Sequence, residues 1–375
     1  MRIGLTSTVF NKQGGIARYV VELAERFVEH HQVHILTSRY ESHIEGAIVH
    51  EDPILWSPIS LQVASNALKN ISAIKRLRKS GIDVINSQGA DALNSDVVTM
   101  HSCQKAAVKI IGGEKGLSYT ILKSLEPRSN IVLVIEKHVL NHSKKIIAVS
   151  NSVKKDLVRE YRIPEGKIEV IHNGVNLEEF NPDNKKKYRT ALRKQHGFDE
   201  NDTVLMFSGR EFKRKGLRYV IEALPELRKN VKLLVVGGAD KSEYEALSNR
   251  LGVKDRVMFV GHRNNISEYY SASDAFILPT AYEPFGLVIT EAMASGLPVV
   301  ATRTSGAAEL ITDGTDGMLL ESPYDAREVA EKVRYVLDNN LADGMGSRAR
   351  KTVEKYSWNS AAEKTLAVYE SVKRG

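Results

Sequence analysis

A single cysteine, Cys103, in 375 residues excludes a disulfide scaffold and any zinc or iron–sulfur centre built on thiolates, and it favours a reducing compartment, the cytoplasm. No stretch approaches the roughly 20 apolar residues of a membrane span, and the opening MRIGLTSTVF lacks the pattern of a signal peptide. A soluble or peripherally attached protein is expected. One sign of charge does not dominate either: 53 Lys and Arg face 46 Asp and Glu, for a net charge of +7. Residues 1–180 carry 23 basic and 19 acidic side chains and residues 181–375 carry 30 and 27, so the halves are +4 and +3 and neither is a basic arm. The basic clusters at 75–79, 185–187 and 213–215 are short and mostly lack interleaved aromatics, which argues against nucleic acid as a partner. No repeat of solenoid period is visible.

What is present is ordinary globular composition, 42% apolar and 26% charged. The length predicts two domains, each able to bury its own core. Short β-branched runs alternate with amphipathic segments, the pattern of βαβ units and parallel sheets. Strands are expected at 2–5, 33–37, 84–86, 97–101, 145–149 and 168–171, then again at 203–208, 232–236, 257–260, 275–279 and 299–301. Helices are expected at 17–29, 61–79, 117–125 and 131–142, then near 217–229, 243–252, 266–271, 288–295 and 305–311. Asn173-Gly174 and Asn181-Pro182, followed by Lys185-Lys186-Lys187, read as a turn-rich, solvated linker. The last segment, from Trp358 to Lys373, is an amphipathic helix that needs a surface to pack on. The expected fold class is therefore α/β, two Rossmann-like domains joined near residue 180.

The chemistry concentrates at strand ends. After the strand ending at Pro279, the turn carries Glu283-Pro284-Phe285-Gly286 and a helix begins at about Leu287 and stops at Gly296. Unpaired amides near Gly286, Leu287 and Val288 would point into the crevice at the strand's carboxyl edge, where a phosphate sits well. Glu283 and Glu291, flanking that position, suit the hydroxyls of a sugar or ribose; they also suit a dipole partner and a solvated helix residue. Gly209-Arg210 to Lys215-Gly216 follows the first strand of the second half. There Arg210 offers a planar fork and Lys215 a point charge for a diphosphate, against the plain reading of a basic turn. Charge alone does not separate Lys213 and Arg214 from Lys215; Gly216, which lets the chain enter the helix, favours Lys215.

In the first half, Gly14-Gly15 before a helix resembles a phosphate cradle but is not GxGxxG, which weakens a nicotinamide-dependent reading. His101 closes a strand at the same edge and can donate to a substrate hydroxyl or serve as a structural residue. Cys103 has no clear partner and reads as a small, semi-buried residue. His172 reads as structural.

Taken in order along the chain, Gly14-Gly15, Val149-Ser150-Asn151-Ser152, His172-Asn173-Gly174-Val175-Asn176, Gly209-Arg210 to Lys215-Gly216 and Glu283-Pro284-Phe285-Gly286-Leu287-Val288-Ile289-Thr290-Glu291 resemble the family 4 glycosyltransferases of the GT-B fold. The resemblance spans nearly the whole chain. It implies an acceptor-binding domain over 1–179, with 358–375 crossing back onto it, a nucleotide-sugar-binding domain over 180–357, and a crevice between them. It implies a hexosyltransferase that transfers with retention of configuration and needs no metal or other cofactor. A nucleoside-diphosphate sugar, UDP- or GDP-linked, would be the donor. Arg210 and Lys215 then match the pair on the donor diphosphate and Glu291 the carboxylate on the ribose. Glu283 matches the carboxylate beside the sugar, and the amides of Phe285, Gly286, Leu287 and Val288 would contact sugar and phosphate. Gly15 would close over the diphosphate and His101 would lie near the reacting centre. Arg263, in Val260-Gly261-His262-Arg263, falls where the family holds the base. No Asp-x-Asp follows a strand, in keeping with metal-independent transfer.

A glycan or lipid-linked acceptor, and cell-surface glycan, glycolipid or polysaccharide synthesis, are the expected context. Two other classes stand beside this reading: a sugar-nucleotide epimerase on the same scaffold, and a non-catalytic nucleotide-binding or membrane-surface protein. The segment 104–116 mixes Lys105, Lys109 and Lys115 with apolar residues. It reads as an acceptor loop, as an amphipathic surface for peripheral contact at the inner face of a membrane, or as a buried helix with a basic rim. Residues 88–96 are the other expected acceptor loop.

Overall fold

A computed structural model describes residues 1–52, 59–115 and 127–374. The chain forms two compact units, Met1–Gly174 together with the segment from Trp358 on, and Val175–Ser357. The expected helix at 117–125 lies outside the described residues.

The first unit is built on a seven-stranded, all-parallel sheet in the order β3-β2-β1-β4-β5-β6-β7. Its strands are β1 (Arg2–Ser7), β2 (Gln32–Thr37), β3 (Ile48–Glu51), β4 (Val84–Gln88), β5 (Val97–Met100), β6 (Lys145–Ala148) and β7 (Ile168–Val170). Between them run α1 (Gly15–Phe27), α2 (Ile59–Lys79), α3 (Gln104–Lys115), α4 (Pro127–His142) and α5 (Asn151–Tyr161). A sheet covered on both faces buries its strands entirely, and β4 is buried along its length although it reads Val-Ile-Asn-Ser-Gln. Its polar side chains are tolerated because they are paired. Asn86 donates to Thr99 at 3.0 Å and to the Tyr369 hydroxyl at 2.6 Å, and Ser87 bonds Ser95 at 2.7 Å.

Tyr369 lies on the C-terminal helix, Trp358–Arg374, which packs on α1 and the sheet of this same unit. Trp358 is buried edge-on to Tyr19 and Tyr369 is edge-on to Phe27, while Lys373 pairs with Asp83 at 3.0 Å. Of the three readings of 104–116, the described residues 104–115 form helix α3. Lys105 and Lys109 turn back onto the Glu160 carboxylate, at 3.8 and 2.6 Å, so its basic rim is engaged within the unit.

The second unit carries a six-stranded parallel sheet, ordered β10-β9-β8-β11-β12-β13. The strands are β8 (Thr203–Ser208), β9 (Val231–Val236), β10 (Val257–Gly261), β11 (Ala275–Leu278), β12 (Val299–Thr302) and β13 (Met318–Leu320). The helices are α6 (Asn184–Gln195), α7 (Leu217–Ala223), α8 (Ser242–Arg250), α9 (Ile266–Ala272), α10 (Leu287–Ala294), α11 (Ala326–Asp338) and α12 (Ala342–Val353). The division falls at 174/175, five residues before 179/180, for a physical reason. Val175 donates its amide to the Tyr356 carbonyl at 2.9 Å, and Arg350 gathers the carbonyls of Leu177, Phe180 and Ala294. These bonds tie 175–180 to the second unit. The lysine run is likewise not linker: Lys185, Lys186 and Lys187 open α6.

Each sheet reverses its strand order once, between β1 and β4 in the first unit and between β8 and β11 in the second. Such a reversal splays the connecting loops apart at the carboxyl ends of the strands and leaves a crevice for ligands.

Candidate active site

At the reversal in the second unit, the turn after β8 and the turn after β11 meet. Lys215 Nζ lies 2.9 Å from Glu283 Oε2, and Arg214 Nη1 approaches the same oxygen at 3.4 Å. Lys215 is only 8% exposed. Burial alone would push the Glu283 carboxyl up, but Lys215 and then Arg214 overcome it and hold the group below its ordinary value. Arg214 also donates to the Tyr282 carbonyl and to Glu211, at 2.9 Å from Nε, and its own carbonyl accepts the Ala281 amide at 3.0 Å. The two turns are thus riveted together, with a lysine and a carboxylate fixed at their junction.

Glycine makes this approach possible at two positions. A Cβ on Gly209 would stand 2.1 Å from Lys215 Cδ, so the lysine lies across that bare backbone. Gly216 has φ +77°, and a Cβ there would meet the Pro279 carbonyl oxygen at 2.1 Å.

Beyond Glu283 the chain enters α10 through Gly286. Phe285 and Gly286 are buried, Leu287 and Val288 half-buried. Glu291, on the second turn of α10, is 7% exposed, and the buried Tyr270 hydroxyl lies 3.1 Å from both Glu291 Oε2 and the Val288 carbonyl. Tyr270 therefore fixes the carboxylate relative to the start of the helix. Arg210 is exposed, and its Nη2 reaches His262 Nε2 at 3.4 Å, just past the end of β10. Arg263, next in sequence, is exposed with its guanidinium 6.0 Å over the Tyr269 ring. Lys215, Glu283, Arg214 and the α10 amides share one place, while Arg210, on the same turn after β8, reaches His262 past the end of β10, two strands away, with Arg263 next in sequence.

In the first unit His101 follows β5, its Nε2 2.9 Å from Gln88 Oε1 and its ring edge-on to Tyr19 at 4.9 Å. Burial depresses its pKa to about 3, so the imidazole is neutral. Gln88, 4% exposed, leaves its Nε2 without a hydrogen-bond partner among the described residues. Gly15 begins α1 and is exposed, with Gly14 extended before it as the cap. Cys103 is fully rather than partly buried, and burial pushes its thiol up to about 12, which excludes a thiolate nucleophile at neutral pH.

Three residues of these sites escape sequence reading. Arg214 looks like its neighbours Lys213 and Lys215 until the fold shows it clamping both turns. Tyr270 reads as a core aromatic, and only the α9–α10 geometry brings its hydroxyl to Glu291. Gln88 opens the expected acceptor loop at 88–96 but ends strand β4, and its contact with His101 is set by the fold.

Among the described residues no helix is long and apolar enough to cross a membrane. Comparison with known proteins bears on both units. Residues 13–179 match the sequence family described as Glycosyltransferase Family 4, and residues 188–352 match Glycosyl transferases group 1. An uncharacterised glycosyltransferase of Methanocaldococcus jannaschii is 30% identical over 95% of this chain and 94% of its own length. Among solved structures, the lipopolysaccharide-biosynthesis glycosyltransferase WaaG superposes with a TM-score of 0.80 at 23% identity, covering 98% of this chain and 99% of WaaG. Anabaena HepE, solved with UDP-glucose, gives a TM-score of 0.73 at 20% identity over 99% of this chain and 100% of HepE. With both family matches in register with the two units, the chain belongs to the family 4 glycosyltransferases, enzymes of the hexosyltransferase class with the GT-B fold.

Proposed function

We propose that the junction of the two turns in the second unit is the site of a nucleoside-diphosphate sugar, UDP- or GDP-linked, from which a hexose is transferred with retention to an acceptor hydroxyl. The observation that carries this is the Lys215–Glu283 contact of 2.9 Å at the strand-order reversal, beside the start of α10. Lys215 and Arg210 supply positive charge for the diphosphate, and the amides of Phe285 to Val288 supply donors of fixed direction. Departure of the nucleoside diphosphate develops negative charge on the β-phosphate, so groups already aimed there stabilise the transition state more than the ground state. With that charge met by side chains and helix amides, the reaction needs neither a metal nor another cofactor. Glu283 accepts from a sugar hydroxyl while its ion pair keeps it ionised, and Glu291, set by Tyr270, accepts from the ribose. Arg263 and His262 border the base. Of the first unit's residues, Gly15 is assigned to the donor diphosphate and the neutral His101 to the transferred sugar.

WaaG acts in lipopolysaccharide biosynthesis, which is in keeping with a cell-surface glycan context, and HepE was solved with UDP-glucose, which is in keeping with a UDP-linked donor. A glycan or lipid-linked acceptor and a cytoplasmic setting with peripheral membrane contact complete the proposal. The deciding experiment is equilibrium binding of UDP-, GDP- and ADP-sugars to the full chain and to a Lys215→Met/Arg210→Ala variant, followed by NMR of the anomeric proton in the product. One nucleotide class binding to the wild type and lost in the variant, with a retained anomer in EDTA, is expected. Undiminished binding in the variant would overturn the diphosphate assignment, and epimerised donor in the absence of acceptor would replace transfer by epimerisation.

A further inference from the structure

Histidines elsewhere in the first unit spend ring nitrogens on nearby protein groups. His34 and His50 lie stacked on β2 and β3, but Nδ1 of one points at Nε2 of the other at 2.9 Å, so the pair satisfies itself. His31 Nδ1 lies 3.1 Å from the terminal amine of Met1. His138 and His142 differ. They stand at i and i+4 on the last two turns of α4, one above the other on a single helix face. Their ring centres are 4.0 Å apart and their planes 20° apart. Because α4 leads into the amino end of β6, the pair lies at the edge of the sheet opposite to that of His101, which follows the carboxyl end of β5.

One hydrogen bond decides what this pair can do. His142 Nδ1 lies 2.8 Å from the His138 carbonyl oxygen. A carbonyl only accepts, so Nδ1 carries the proton and donates it, and Nε2 keeps its lone pair. Metal-binding histidines are held in this way: the bond from one ring nitrogen to a backbone carbonyl fixes the tautomer and aims the other. His142 is exposed, and half-buried His138 has no hydrogen-bond partner for either ring nitrogen among the described residues. The backbone beneath is fixed as well, since Lys167 Nζ donates to the carbonyls of Leu140 and Asn141 at 2.7 and 2.8 Å. Two nitrogens each about 2.1 Å from one ion, at an angle of about 90–109°, stand about 3.0–3.4 Å apart. Nearly parallel rings with centres 4.0 Å apart reach that spacing by a small turn about χ2, a soft torsion in histidine. Imidazole nitrogen suits zinc, nickel and copper, whereas magnesium and calcium take oxygen. Among the described residues no three His, Cys, Asp or Glu side chains converge on one point, so water would complete the coordination shell.

We propose that His138 and His142 chelate one divalent transition-metal ion of the zinc, nickel and copper group, with Nε2 of His142 as the oriented ligand. The site uses none of the proposed donor residues and does not depend on the transferase reading. Isothermal titration calorimetry tests it on the full chain, carrying no histidine tag and freed of metal with EDTA, with zinc, nickel and magnesium chlorides as probes. Zinc and nickel should bind at one ion per chain, at least about tenfold more tightly than magnesium. His138→Gln and, independently, His142→Gln should each weaken zinc by about tenfold or more, because either change turns a chelate into a single ligand. Circular dichroism should be unchanged in both. His50→Gln, at the pair that satisfies itself, should leave zinc affinity as it is. Undiminished zinc affinity in either variant of the α4 pair, a loss as large in His50→Gln, or magnesium bound as tightly as zinc would overturn the proposal. So would the absence of zinc and nickel binding by a chain whose circular dichroism shows it folded.

Discussion

Lys215 and Glu283 lie 2.9 Å apart on turns that follow two different strands, β8 and β11, on either side of the point where the sheet reverses its order. On the proposed donor site the contact joins folding to chemistry, because the same pair holds two loops together and would present charge to a ligand. These roles separate by mutation. Glu283→Gln leaves Lys215 beside Arg214 without the carboxylate they share, Arg214 keeping only Glu211, and should lower stability by about 2–4 kcal/mol. Lys215→Met should cost about 10²–10³ in kcat, the usual range for removing one charge-stabilising group. The double variant should recover part of the stability and none of the activity. Thermal denaturation and donor turnover on the four proteins check both, and recovery of activity would refute the functional role of the pair.

The two glycines of the same turn predict opposite outcomes. Gly209→Ala sets a methyl 2.1 Å from Lys215 Cδ, the movable part of a flexible side chain, so the lysine swings away and the fold survives. Turnover should fall about tenfold or more with a stability loss near 1 kcal/mol. Gly216→Ala meets the rigid Pro279 carbonyl at 2.1 Å from a backbone at φ +77°. It should destabilise by about 2–4 kcal/mol, by close contact and strain together. Chemical denaturation set beside kcat would show whether the two losses divide in this way.

How far these relationships are legible in sequence depends on their range. Most strands are, because a parallel sheet buries both faces and its strands read as apolar runs, as in β8, β9 and β11. Strand β3 is not: Ile48-Val49-His50-Glu51 lies at the sheet edge, partly exposed, and its short mixed run carries no period. The lysine run of α6 is hidden for the opposite reason, since solvated lysines look alike on a helix and in a linker. The turn glycines mark where the chain must bend, and Glu283 and Glu291 stand out by their spacing around a helix start. Arg214, Tyr270 and Gln88 do not, because what each does is defined by a partner on another element: Tyr282, Glu291 and His101.

The depressed pKa of His101 makes a prediction about pH. In the folded chain the imidazole stays neutral down to about 3, whereas in the unfolded chain it takes up a proton below its ordinary 6.5. The contribution is therefore complete above pH 6.5 and is lost as pH falls from there towards 3, by about 3.3 kcal/mol at pH 4 at roughly 1.36 kcal/mol for each pH unit. His31, His34, His50, His138 and His196 are shifted in the same direction by burial, so the wild-type profile alone would not isolate His101. His101→Asn, which keeps a donor for Gln88, should remove that part of the acid loss. Urea denaturation at pH 7.5 and pH 4 measures it as a difference between the two proteins, and equal slopes would mean that His101 is protonated in the folded state.

The Tyr270 hydroxyl offers a test of the proposed nucleotide end of the site that leaves the proposed reacting centre alone. It touches Glu291 Oε2 and the Val288 carbonyl, each at 3.1 Å, and its ring is wholly buried beside Phe180 and Phe276. Tyr270→Phe keeps the ring packing and deletes one donor from a buried carboxylate, so stability should fall by about 1–2 kcal/mol. Glu291 would then lose one of the contacts that set its orientation, and a carboxylate held less firmly should bind ribose less well. KM for the donor should rise about five- to twentyfold with kcat within about twofold, because a ribose contact is made equally in ground and transition states. Glu291→Gln should raise KM further, and adding Tyr270→Phe to it should cost little more, since the tyrosine acts through the carboxylate. Additive losses in the double variant would show that Tyr270 supports the site by another route, through the start of α10 itself.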